Sequence, residues 1–67
     1  MNTDLFPIKL KALRTSKNLS QNKLAKDTGI TKQALSLYEN RLREPGLYTI
    51  AKLADYFNVS LDFFITV

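Results

Sequence analysis

The sequence predicts an all-α domain built from five short helices, and three observations carry that prediction. The chain has 67 residues, the size of a single small domain spanning 1–67. Its apolar residues recur at helical spacings, with no sustained alternation and no Asn-Gly or Asp-Gly pair to mark a hairpin. The breaks between apolar runs carry helix-start and helix-stop residues: Ser20, Gly29, Thr31, Gly46 and Ser60.

The first helix is expected from about Pro7 to Lys17. Asp4 or the residues just after it can cap its start, and proline is tolerated in a first turn. Leu10, Leu13 and Arg14 share one face, and Asn18 and Leu19 end the helix. Ser20 is the N-cap of a second helix, Gln21 to Asp27, with Leu24 and Ala25 inward. Gly29 takes the left-handed conformation that turns the chain. Thr31 caps the third helix, Lys32 to about Asn40, whose inner face holds Leu35 and Tyr38. Gly46 opens a fourth, Leu47 to Phe57, in which Leu47, Ile50, Ala51, Leu53, Ala54 and Phe57 form a wide apolar stripe. Asn58 and Val59 break it, and Ser60 caps a last helix, Leu61 to Ile65.

Composition narrows the function. The chain has no cysteine and no histidine, which removes disulfides, thiolate metal sites and the commonest general acid/base. Six acidic residues, spread along the chain, make no active site of the usual kinds. The expectation is a non-enzymatic domain with no metal, cofactor or small-molecule substrate. No apolar run approaches the roughly 18 residues of a membrane span, and no basic-then-apolar leader opens the chain, so a cytoplasmic protein is expected. Charge is uneven. Residues 1–43 hold nine basic and three acidic side chains, a net +6, whereas 44–67 hold one and three, a net −2. A basic first two-thirds suits a polyanionic partner.

The segment 21–40 is the informative one. Two helices joined by a short turn with a glycine form a helix-turn-helix arrangement. Counting from Gln21, inward apolar residues belong at about the fourth, tenth, fifteenth and eighteenth positions. Leu24, Ile30, Leu35 and Tyr38 occupy them. The close crossing needs a small residue, Ala25, and the turn a glycine, Gly29. The first turns of these helices, Gln21-Asn22-Lys23 and Lys32-Gln33-Ala34, hold no acid, so their partial positive charge is left for an external anion. If Leu35 and Tyr38 point in, then Lys32, Gln33, Ser36, Leu37 and Asn40 point out or flank. Gln33 suits adenine, Lys32 suits guanine or a phosphate, and Leu37 suits a thymine methyl unless it packs against the second helix. Arg14 and Glu39 lie one turn beyond Leu10 and Leu35 on core-facing stripes. Buried charges must be paired, so these two are expected to form a structural ion pair.

The stretches LSQNKLAKDTGITKQALSLYENRLREP and IAKLADYFNVSLDFF resemble the phage-repressor and Cro-like helix-turn-helix regulators, the Xre family. The likeness runs from about Phe6 to Ile65. It implies a lambda-repressor-like five-helix domain, a transcription regulator that binds an operator in double-stranded DNA as a homodimer. Carried over by position, it implies that Gln21 contacts a phosphate and sometimes a base. Lys32, Gln33 and Leu37 would read bases, with Ser36 nearby, and Asn40, Arg41 and Arg43 would grip phosphates. Arg14 and Glu39 match a charge pair typical of many members. Arg41 departs from the pattern, standing where Gly or Asn often ends the helix. Either it adopts a left-handed conformation or the helix ends differently. Leu37 also departs, replacing the usual polar reader.

Many phage repressors continue into an oligomerisation domain. A chain ending at Val67 is expected to dimerise through itself or else to bind as a monomer, with Phe63, Ile65 and Val67 as the candidate dimer surface and Phe64 inward. The alternative function is a protein-interaction module on the same fold, an anti-repressor or antitoxin-like partner of another regulator. Leu37 and the apolar C-terminal residues favour it.

Overall fold

The computed structural model describes residues 2–65. Among these it contains five helices: α1 (Phe6–Ser16), α2 (Gln21–Thr28), α3 (Lys32–Glu39), α4 (Leu47–Phe57) and α5 (Leu61–Phe64). No helix among them is long and apolar enough to cross a membrane. Helices this short do not persist alone in water, so each exists because one face is buried, and two of them also have a side-chain N-cap.

The starts of α2 and α3 follow the N-cap chemistry. Ser20 accepts the Lys23 N–H at 3.0 Å and Thr31 accepts the Ala34 N–H at 3.1 Å. Gly46 precedes α4 in an extended conformation, and Ser60 precedes α5 without a side-chain cap bond. Asp4 does not cap α1. The helix begins at Phe6 with Leu5 in the N-cap place, and its first bond runs from the Phe6 N–H to the Thr3 carbonyl at 3.0 Å. The Asp4 N–H instead reaches Asn2 Oδ1 at 2.9 Å, closing a local turn. Pro7 sits in the first turn of α1, where its missing N–H costs nothing.

Three helices end alike. Asn18, Arg41 and Asn58 take left-handed φ values of 56°, 62° and 56°. The N–H that follows each reaches back over the last turn: Leu19 to Arg14 O at 3.0 Å, Leu42 to Leu37 O at 2.8 Å, Val59 to Ala54 O at 2.9 Å. Arg41 therefore adopts the left-handed conformation and α3 keeps its usual ending. For a residue that is neither Gly nor Asn, that conformation costs roughly 1–2 kcal/mol. Gly29 ends α2 at φ 76°. Thr28 locks this turn, donating to Leu24 O at 2.7 Å and accepting from the Ile30 N–H at 3.2 Å.

The core draws on every helix: Phe6 and Leu10, Leu24, then Ala34, Leu35 and Tyr38, then Ile50, Leu53, Ala54 and Phe57, and finally Phe64. Ala25 and Ile30 pack at its edge. α3 lies against both α1 and α2, which fixes its rotation. Phe6 anchors the aromatic part, edge-on to Tyr38 at 5.9 Å and tilted against Phe64 at 5.3 Å. The apolar stripe of α4 is narrower than its sequence suggests. Leu47 is 55 % exposed and Ala51 is exposed, whereas Ile50, Leu53, Ala54 and Phe57 are buried, with α2 and α5 the main helices packed against α4. At the C-terminal end Phe64 is buried, while Phe63 and Ile65 are half-buried. Lys9 covers Phe63, with its ammonium 5.0 Å from the ring centre and 2.8 Å from the Phe63 carbonyl. Val67 lies outside the described residues.

Candidate nucleic-acid interface

An open groove of about 390 Å³ is lined by Gln21, Lys32, Gln33, Ser36 and Leu37. Four of these come from the outward face of α3 and one from the first turn of α2. The register of α3 produces this. With Leu35 and Tyr38 turned into the core, positions 32 and 33 are exposed, and Ser36 and Leu37 fall at the boundary, half-buried. The groove is therefore a polar and cationic rim beside one aliphatic side chain.

Both helices point N-termini at this region, and Ser20 and Thr31 each satisfy one N–H there. The N–H groups of Gln21 and Asn22, and of Lys32 and Gln33, precede the first intrahelical bonds and face out of their helices. The missing first-turn acid is less distinctive than the sequence suggested, since α1 and α4 also lack one.

Behind the groove lies a charge network. Arg14 Nε donates to Glu39 Oε2 at 2.7 Å and Nη2 to Oε1 at 3.0 Å, a two-point pair. The side chains are 13 % and 4 % exposed. Arg14 Nη1 also donates to the Leu19 carbonyl at 2.7 Å. The hydrogen-bonded carboxylate raises the pKa of Arg14, against burial that lowers it. Glu39 also accepts from Gln21 Nε2 at 3.2 Å. An ionised carboxylate only accepts, so the Gln21 amide nitrogen faces Glu39 with one N–H, and its oxygen and second N–H are left for a ligand. α1, the start of α2 and the end of α3 are thus joined through one carboxylate.

The other candidates lie elsewhere. Asn22 is exposed on α2, outside the groove lining. Asn40 caps α3, its amide donating to Ser36 O at 2.9 Å and Ser36 Oγ at 3.3 Å. Arg41 and Arg43 border a second depression with Thr3, Asp4, Pro7, Glu44 and Pro45. Arg41 Nη1 is already bonded to the Asp4 carbonyl at 2.9 Å. Sequence reasoning missed two further features because both pair residues distant along the chain. Thr3 bonds Glu44, and Tyr56 on α4 donates to Asp27 Oδ2 at 2.7 Å, beside a Lys23–Asp27 contact of 3.1 Å. The Tyr56 hydroxyl, and then Lys23, hold the Asp27 pKa below its ordinary value. Asp27 in turn raises that of Tyr56.

Two capped helices crossing at a small residue, with a left-handed glycine between them, repeat in the sequence pattern of a known family. The HTH_3 helix-turn-helix family pattern fits residues 10–64. The chain belongs to the HTH_3 helix-turn-helix family. It is similar to the SPbeta prophage-derived HTH-type transcriptional regulator YonR of Bacillus subtilis, with 44 % identity over 88 % of this chain and 55 % of YonR. It is also similar to the cryptic phage CTXphi transcriptional repressor RstR of Vibrio cholerae, with 32 % identity over 85 % of this chain and 51 % of RstR. The crystal structure of an HTH_3 family transcriptional regulator from Vibrio cholerae superposes with a TM-score of 0.83 at 31 % identity. That match covers 92 % of this chain and 35 % of the other. The chain thus spans about half the length of these two curated relatives.

Proposed function

We propose that this HTH_3 domain is a sequence-specific, double-stranded-DNA-binding transcription regulator, a phage-type repressor acting in the cytoplasm without catalysis. One observation carries the reading: Lys32, Gln33, Ser36 and Leu37 of α3 meet Gln21 of α2 in one open groove. That set combines a cation, a bidentate amide, a hydroxyl and an apolar contact, the groups that read base edges in a major groove. α3 enters the groove, the free N–H groups and Gln21 meet phosphates, and Asn22, Asn40, Arg41 and Arg43 lie along the flanking backbone. The similarity to a prophage-derived regulator supports a phage-type regulator, and the similarity to RstR supports the repressor role.

Two copies bind a palindromic operator, with half-sites about 34 Å apart. The body measures 30 × 25 × 19 Å, so two copies fit side by side over such a site with room for a small interface. Ile65 is the proposed contact, with Phe63 beside it once Lys9 swings off its ring; both are half-buried in the single chain. Selection of duplexes from a random pool, with stoichiometry measured on the winner, tests this. A palindrome holding two chains is expected. A short site holding one chain would remove the dimer, and no enrichment would remove the function.

A second reading, a protein-interaction module on the same fold, is favoured by one observation. Leu42, Leu47 and Tyr48 are 73 %, 55 % and 77 % exposed. Salt separates the two. Binding through about eight phosphates weakens by roughly seven powers of ten per tenfold rise in salt, whereas an apolar protein contact barely responds.

A further inference from the structure

The segment ahead of α1 makes contacts that the groove does not explain. Thr3 lies outside any helix, yet it is one of two buried polar residues among those described. Its hydroxyl donates to Glu44 Oε1 at 3.1 Å. The next carbonyl, that of Asp4, accepts from Arg41 Nη1 at 2.9 Å. Both residues are themselves fastened. The Thr3 carbonyl accepts the Phe6 N–H, and the Asp4 N–H reaches Asn2. Two consecutive residues, Thr3 bonded to the first residue of α1 and Asp4 held in a local turn by Asn2, therefore grip the α3–α4 connector near both ends, at Arg41 and at Glu44. Between those grips stand Leu42 and Arg43, both exposed.

The gripped connector is also the strained one. Of the three non-glycine residues with left-handed φ, two are asparagines and the third is Arg41. Asparagine visits that region readily and arginine does not. Arg41 is thus held in a disfavoured backbone state while its side chain is tied to Asp4. A guanidinium has five N–H donors, so one bond to Asp4 fixes its direction and leaves the others free.

We infer that Thr3 and Asp4 are positioning residues that preset the connector, so that Arg41 and Arg43 meet the phosphate backbone already ordered. The inference rests on the DNA-binding reading above. Presetting matters because immobilising a long side chain on binding otherwise subtracts from affinity.

The test uses Thr3→Val, which removes the hydroxyl and keeps the shape, with Thr3→Ser as rescue. Two readouts are needed. The first is hydrogen exchange of the Leu42 amide, which is bonded to Leu37 O, compared with the Leu53 amide inside α4. The second is affinity for the selected duplex and for a random duplex across a salt series. Thr3→Val is expected to speed exchange at Leu42 more than at Leu53. It should weaken both duplexes alike by roughly two- to tenfold, and lower the salt slope by about 0.9 for each phosphate lost. Thr3→Ser should restore all three. Glu44→Ala, altered at an exposed site, should reproduce the Leu42 exchange even if Thr3→Val folds poorly.

Equal acceleration at both amides with an unchanged salt slope would make Thr3 a stabiliser of the whole domain and overturn the inference. Unchanged exchange at Leu42 in both variants would overturn it as well. If the native chain binds no duplex, the proposed function fails, while the exchange readout still decides whether Thr3 holds the connector.

Discussion

Replacing Arg14 by methionine keeps most of the side-chain volume and removes the charge. It deletes three hydrogen bonds at once: two to Glu39, at 2.7 and 3.0 Å, and one to the Leu19 carbonyl at 2.7 Å. Glu39, whose side chain is 4 % exposed, would keep only the Gln21 amide at 3.2 Å. Orphaning one partner of a buried pair costs about 3–5 kcal/mol. A 67-residue domain has roughly 3–10 kcal/mol in total, at about 0.05–0.15 kcal/mol per residue. The single variant should therefore lose about 30 % or more of its stability, and at the lower end it should not fold. Urea unfolding followed by circular dichroism measures this directly. Arg14→Met combined with Glu39→Leu removes both charges and should recover most of the loss, since apolar replacement of a buried pair is often neutral. A single-variant loss below about 1 kcal/mol would refute the reasoning and give the pair the worth of an exposed bridge.

Gln33→Ala should cost about 1–3 kcal/mol on the selected site and relax preference at one base pair; unchanged affinity in a binding titration removes Gln33 from the reading face. Arg43→Ala should weaken all duplexes similarly and lower the salt slope by about one, and a changed base preference would contradict its phosphate role. Gly29→Ala should destabilise by roughly 1–2 kcal/mol through its φ of 76°. Contact adds little, because an added methyl would meet only the flexible Lys52 tip at 3.5 Å; thermal melting reads the difference. Tyr56→Phe should flatten the pH dependence of stability at both extremes. Asp27 has its folded pKa below 3.8, so its contribution is complete above that value and disappears as pH falls through the folded pKa. Tyr56 has its folded pKa above 10.0, so its contribution is complete below 10.0 and disappears as pH rises through the folded pKa. Melting temperatures across acid and alkaline series that match in the two proteins would show that the bond contributes nothing.

What could be read ahead of the structure was local. Ser20, Thr31 and Gly29 act within one turn of where they stand, so the boundaries of α2 and α3 fall where their chemistry places them. The Arg14–Glu39 contact was also legible, because a charge one turn beyond a buried leucine has few other places to go. The groove followed from the same periodicity, since fixing Leu35 and Tyr38 inward sets the outward positions. Long-range contacts were not legible. Leu47 and Ala51 look like core on a helical wheel, yet their exposure depends on which helices cover α4 and from which side. Asp4 has good capping chemistry, but the Thr3–Glu44 bond draws that segment toward the connector, and Leu5 takes the N-cap place. Phe63 reads as open apolar surface until Lys9 is seen lying over it.

The division of α3 into an inner and an outer half bears on how such a domain changes over generations. Lys32, Gln33 and Ser36 face the groove and add nothing to the list of core side chains. Substitutions there can exchange one recognised target for another with little effect on folding, since surface changes typically stay within about 0.5 kcal/mol. Leu37 shares that freedom. It lines the groove half-buried, as Ser36 does, and it is not among the partly buried apolar side chains that pack against the core. A lineage drifting toward new targets would vary at 32, 33, 36 and 37, and could exchange a polar contact for an apolar one there without rebuilding the core.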